Sequence, residues 1–110
     1  MPRARLSSFD AMLAFARDLA NVEEGTSCTQ TSFKVGGKAF LYLGDQGGRH
    51  KAMMKLDASL EDAIDLSESH PDDYQVGSTK WVTIRFAEGG NVPKRRWSKW
   101  IKESYALAGG

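Results

Sequence analysis

Paired glycines divide the middle of the chain into short segments that suit the strands of an antiparallel sheet. Gly36–Gly37 and the glycine-rich run 44–48 each permit the positive backbone dihedrals of a tight turn. Thr26 to Val35 and His50 to Leu56 have the alternating character of half-exposed strands, and Lys38 to Leu43 lies between them. Because connections this short allow only antiparallel pairing, the sequence predicts a three-stranded meander.

Three segments outside the meander have the apolar spacing of helices. They run from Ser8 to Ala20, from Leu60 to just before His70–Pro71, and from Asn91 or Val92 to about Leu107. Ser7 with Asp10, and Ser59 with Asp62, resemble capping boxes, and Pro93 suits the first turn of the last helix.

Two further strands are predicted at Tyr74 to Val76 and at Lys80 to Phe86. The resulting order is α-β-β-β-α-β-β-α. Short connections favour antiparallel pairing with the helices collected on one face, so we predict an α+β fold of two layers.

Composition places the chain among ordinary globular domains. Of its 110 residues, 41% are hydrophobic and 26% charged, which excludes a disordered tail, and we expect one domain over residues 1–110. No apolar run approaches the roughly 20 residues of a membrane span, and no apolar segment of a secretory signal follows the basic start. The lone Cys28 suits a reducing compartment. We therefore expect a cytoplasmic protein without membrane association.

The net charge of +1 conceals a segregation of charge along the chain. Residues 57–73 carry seven anions and no cation, whereas residues 34–56 carry five cations and one anion, and residues 74–110 carry seven and two. Such segregation can place fields of opposite sign on different faces of the protein.

The last predicted helix begins with a cluster of cations. A helix start already carries partial positive charge, so each exposed cation there costs about 0.3–1 kcal/mol unless it meets an anion. Free amides beside such a cluster would bind phosphate, unless the acidic helix or Glu88 offsets the charge. The cluster consists of Lys94, Arg95, Arg96 and Lys99, while Trp97, Trp100, Ile101, Ser104 and Ala108 share the face predicted to enter the core.

A second group of cations has the strand parity of one sheet face. If the helices cover the opposite face, this one is open and can track a phosphate backbone and stack unpaired bases. A half-polar sheet or a dimer interface would have the same composition. The cations are Lys34, Lys51, Lys55 and Arg85, with Tyr42, Met53, Trp81 and Thr83 beside them and Lys38 near a hairpin tip.

Nothing in the sequence indicates catalysis. His50, His70 and Cys28 have no acid–base partner that spacing can assign, and the acidic residues of 57–73 lack the spacing of a calcium loop. Gly36–Gly37–Lys38 lacks the first glycine and the Ser or Thr of a phosphate-binding loop. We therefore predict no catalytic residue, no metal site and no cofactor.

Five short stretches resemble the MmcQ/YjbR family in order and spacing, and the similarity covers nearly the whole chain. The resemblance implies a fold similar to type III secretion chaperones, α-β3-α-β2-α. Members are described as DNA-binding, with hairpins called wings, and no catalytic residues are carried over. The stretches are Ser32–Phe33–Lys34–Val35, Gly37–Lys38–Ala39–Phe40, Met54–Lys55–Leu56, Lys80–Trp81–Val82 and Ser104–Tyr105.

The leading hypothesis is a non-enzymatic module that binds nucleic acid with low specificity, chiefly through phosphates. It requires that the cations converge on one continuous surface while the acidic helix faces away. The alternative is a protein-interaction module, either a monomer or a homodimer, that presents the open sheet to a polypeptide. The predicted nucleic-acid-binding residues are Lys34, Lys38, Lys51, Lys55, Arg85, Lys94, Arg95, Arg96 and Lys99.

Overall fold

The computed structural model describes residues 8–27, 30–46, 48–87 and 92–110. Within these ranges the chain forms three helices and six strands, and every pair of neighbouring strands is antiparallel. The strands lie in the order β1-β2-β3-β4-β6-β5, which confirms the predicted α+β class. The elements are α1 (Ser8–Arg17), β1 (Val22–Ser27), β2 (Gln30–Val35), β3 (Lys38–Gln46), β4 (Arg49–Lys55), α2 (Leu60–Ser69), β5 (Tyr74–Val76), β6 (Trp81–Ala87) and α3 (Lys94–Leu107).

The sheet has one strand more than the sequence predicts. The segment from Thr26 to Val35, predicted as a single strand, contributes to both β1 and β2, which pair as a hairpin from Val22 opposite Val35 to Ser27 opposite Gln30. β1 carries two glutamates and a glycine, all exposed, so it has no alternating apolar signal. Charged residues of this kind are typical of an edge strand.

Two helix ends differ from the prediction. α1 ends at Arg17, three residues early, because Asn21 adopts a left-handed φ of 61° and turns the chain into β1. α3 begins at Lys94, later than predicted, with Pro93 as its N-cap residue. Ser7, the first residue of one predicted capping box, lies outside the described residues.

The Gly36–Gly37 turn forms as predicted, with φ values of 58° and 82°. Beyond it the β2–β3 pairing is irregular: Lys34 lies opposite Ala39 and Phe33 opposite Leu41, so Phe40 is an extra residue in β3. This β-bulge turns both Phe40 and Leu41 into the core.

All three helices pack on one face of the sheet. The predicted core residues of α3 are confirmed, since Trp97 and Trp100 are each 2% exposed. The Ser8 hydroxyl accepts a hydrogen bond from the Val92 amide at 2.7 Å and so links the start of α1 to the approach to α3. Among the described residues, no helix is both long enough and apolar enough to cross a membrane. The sheet residues of the core include Phe33, Leu41, Leu43, Ala52, Met54, Val82, Ile84 and Phe86.

Candidate functional site

The side of the sheet that the helices leave uncovered is called here the open face. On β4 and β6, Lys51 lies opposite Arg85 and Lys55 opposite Trp81. Between these two pairs, Met53 joins a row with its neighbours on β3 and β6. The parity predicted from the sequence agrees with this register. The open face comprises Lys34, Tyr42, Lys51, Met53, Lys55, Trp81, Thr83 and Arg85.

Cations lie at both ends of this face. Lys51 and Arg85 are direct cross-strand partners, an arrangement in which like charges destabilise a sheet. Arg85 also donates a hydrogen bond to the Gln75 side chain at 2.8 Å. Lys55 lies four residues along β4 from Lys51, a rise of about 13 Å at the usual strand spacing. The face therefore has two positively charged ends.

An aromatic pair lies among these cations. The ring centroids of Trp81 and Tyr42 are 5.6 Å apart and their planes are inclined at 49°. Because β4 separates the strands that carry them, the two rings meet above β4. Trp81 is half-buried, in contrast to the two tryptophans of the core, so its indole is accessible to a ligand.

The remaining sheet cations lie toward one end of the face. Lys34 is exposed on β2, but its register partner on β1 is Glu23, whose carboxylate offsets part of its charge. Lys38 is exposed at the start of β3, directly after the glycine turn. It lines a cleft of about 360 Å³ together with Lys55 and Trp81.

The cations of α3 lie on a different surface. Arg95, Arg96 and Lys99 line a groove of about 440 Å³ together with Asp62 and Asp65 of α2. Since α3 packs on the helical side of the sheet, these cations and those of the open face do not form one continuous surface. The expectation that the acidic helix faces away from them is wrong, because α2 shares their groove.

The protein itself engages Arg96 of the α3 cluster. Arg96 donates a hydrogen bond from Nη1 to the Tyr74 hydroxyl at 2.7 Å, and its guanidinium carbon lies 5.6 Å from the ring centroid, within cation–π range. Lys94 lines a separate recess that also includes Asp18 and Phe15. The predicted offset by Glu88 falls outside the described residues.

Glu103 of α3 binds the start of α2, a role that the sequence did not indicate. Its carboxylate accepts hydrogen bonds from the amides of Asp57 and Ser59 and from the Ser59 hydroxyl, at 2.6, 3.0 and 2.7 Å. Burial alone would raise the pKa of Glu103, but these bonds and the charge of Lys99 outweigh it and hold the pKa below its ordinary value. The predicted capping box of Ser59 with Asp62 is therefore wrong, since the Ser59 hydroxyl makes no cap bond within its helix.

Ser104 bridges β3 and β4 where their direct pairing stops. Its buried hydroxyl donates a hydrogen bond to the Phe40 carbonyl at 2.6 Å and accepts one from the Lys55 amide at 3.0 Å. The direct pairing of the two strands ends at Leu41 and Met54, so the hydroxyl replaces the next ladder contact. We call the point where β3 and β4 diverge, between Phe40 and Lys55, the fork. A polar residue on the apolar face of α3 is the sequence signal of such a buried bond.

His50 acquires a carboxylate partner that spacing alone did not assign. It lies opposite Asp45 in the β3–β4 register, with Nδ1 and the carboxylate oxygen 2.6 Å apart. The ring stacks on Phe9 at a centroid distance of 4.3 Å, and the side chain is 12% exposed. These contacts give His50 a packing role beneath α1.

Within the described ranges, no three His, Cys, Asp or Glu residues cluster closely enough to hold a metal ion.

A family model described as YjbR matches residues 17–107. The crystal structure of the Deinococcus radiodurans protein DR2400, whose family-model domain is DUF419, is similar with a TM-score of 0.71 and 20% identity. The similarity covers 96% of this chain and 81% of that one, and at this identity it concerns the fold alone. No curated protein matches the chain.

Proposed function

The chain belongs to the YjbR family, and from the geometry of its sheet we propose that it is a non-enzymatic protein that binds single-stranded nucleic acid on its open face. The observation that carries the proposal is the register that sets Lys51 beside Arg85, with Lys55 and the Tyr42–Trp81 pair on the same uncovered surface. Cations at cross-strand positions lie close enough to contact the same phosphate.

The aromatic pair favours a single strand over a duplex. Unpaired bases expose faces that stack on aromatic rings, and each such contact contributes about 1–3 kcal/mol whatever the base. A duplex keeps these faces covered and is read instead by an element that enters a groove. α3 packs behind the sheet, so it supplies no such element to the open face. We therefore expect low sequence specificity.

Fluorescence anisotropy of a labelled thymidine oligonucleotide, measured across salt concentrations, tests this proposal. Neutralisation of three phosphates by Lys51, Lys55 and Arg85 predicts a slope of about −2 in the plot of log affinity against log salt. Stacking of a base on Trp81 should also quench its fluorescence. Because Trp97 and Trp100 are each 2% exposed, a ligand cannot stack on them, and the quenching can be assigned to Trp81. A Trp81→Phe variant should lose that quenching.

Two control variants locate the site. Lys51→Gln should weaken binding and make the slope of log affinity against log salt shallower by the contribution of about one phosphate contact. Lys99→Gln removes the same charge from the α3 groove. Absence of binding at low salt would remove the proposal, and weakening by Lys99→Gln alone would place binding on α3 instead.

A second candidate function uses the same face. Tyr42, Met53 and Trp81 are half-buried neighbours, and an apolar ridge flanked by cations also suits a polypeptide or a second copy of this chain. Sedimentation velocity separates the two functions. A stable dimer that Met53→Glu dissociates, together with no oligonucleotide binding, would favour the protein-interaction function.

A further inference from the structure

The fork between β3 and β4 opens a cleft at one end of the open face. Lys38 comes from the β3 side and Lys55 from the β4 side, while the indole of Trp81 borders the opening. Ser104 and Leu107 of α3 also line the cleft. Because the direct pairing of β3 and β4 ends at Leu41 and Met54, the cleft lies at the edge of the open face, where a strand that crosses this face can end.

The charge of the cleft favours a doubly charged anion. Two lysines line it, whereas the C-terminal end of α3 contributes only about half a negative charge. Asp57, which borders the adjoining recess, is bonded to Lys80 at 3.1 Å. An internal phosphodiester carries one negative charge, but a terminal phosphate carries about −1.5 to −2 at neutral pH.

We propose that the fork cleft binds the terminal phosphate of a nucleic-acid strand, with the last base against Trp81. This inference rests on the proposed function, since it assumes that the strand lies on the open face and ends at the fork. Lys38 and Lys55 would contact the phosphate from opposite walls. The protein would then distinguish phosphorylated from hydroxyl ends while reading little of the base sequence.

Three thymidine octanucleotides test the proposal by competition anisotropy: one with a 5′-phosphate, one with a 3′-phosphate and one with hydroxyl groups at both ends. One phosphorylated form should bind about fivefold tighter than the hydroxyl form, as expected for an added charge near two exposed lysines. Which form it is identifies the end that enters the cleft.

Each variant is judged by the ratio of its affinities for the phosphorylated and the hydroxyl oligonucleotide. Lys38→Gln should reduce the preference for phosphate to less than about twofold, whereas Lys51→Gln should weaken all three oligonucleotides and retain the ratio. Lys102→Gln, on the helical side, should preserve both the affinities and the ratio. Both lysines of the comparison are at least partly exposed, so these variants should fold, which circular dichroism checks.

Each outcome has one meaning. Equal affinity for the three ends would overturn the terminal-phosphate inference and leave the open-face proposal standing. A preference that survives Lys38→Gln would place the phosphate elsewhere and also overturn the inference. Failure of every oligonucleotide to bind would overturn both.

Discussion

Replacing Ser104 by alanine should destabilise the fold through two backbone groups. The change removes one hydroxyl and leaves the Phe40 carbonyl and the Lys55 amide without their partner at the fork. A buried backbone group left unsatisfied costs about 1–3 kcal/mol. The Phe40 carbonyl is fully buried, whereas the Lys55 amide is only partly so and regains some hydration. Alanine recovers about 0.5 kcal/mol of helix propensity, so we expect a net loss of about 2–3 kcal/mol.

Urea unfolding followed by circular dichroism measures this loss. With a typical slope of about 1–3 kcal/mol per molar urea, the midpoint should fall by about 0.7–3 M. Ser98→Ala, on the same helix, is the matched control, because it makes the same change of propensity away from the fork. If Ser104→Ala unfolds within about 0.5 kcal/mol of this control, the hydroxyl does not bridge the strands and the reasoning is refuted.

Two further variants test other parts of the structure. Glu103→Gln should lower the free energy of unfolding at pH 7 by about 1–2 kcal/mol, because the carboxylate accepts three hydrogen bonds at the start of α2. Since folding lowers the pKa of Glu103, this stabilisation is complete above the pKa of the unfolded chain and is lost as pH falls through the folded pKa. Urea curves from neutral to acidic pH check it against Glu68→Gln, an exposed carboxylate of α2, and a gap that is constant with pH would contradict it. Gly37→Ala should cost about 1–2 kcal/mol in thermal unfolding, because φ is 82° at that position, and an unchanged melting temperature would count against the turn.

Local patterns in the sequence predicted the elements whose signal is periodic. The glycine turn, the faces of β4 and β6 and the buried tryptophans of α3 all follow from spacing and parity. β1 was not predicted as a separate strand because an exposed edge strand with two glutamates has no apolar alternation. The division of the cations between two surfaces was not predicted either, since spacing along a chain does not tell which side of a sheet a helix covers. Glu103 gave no signal, because its partners at Asp57 and Ser59 are more than 40 residues away.

Four of the five stretches that carry the family resemblance meet at the fork. Lys38, Phe40, Lys55, Trp81 and Ser104 belong to four of them, and all line the cleft or form the hydrogen bonds that open it. A buried hydroxyl and a bulged phenylalanine account for the architecture there. Two exposed lysines and a half-buried indole lie outside the core, and we assign them to a ligand. Arg95, Arg96 and Lys99 lie outside these stretches and share a groove with two carboxylates of α2. Two variants at the fork separate its role in stability from its role in recognition. Ser104→Ala should change stability. Lys38→Gln should change recognition, while its melting temperature stays within the range of surface substitutions.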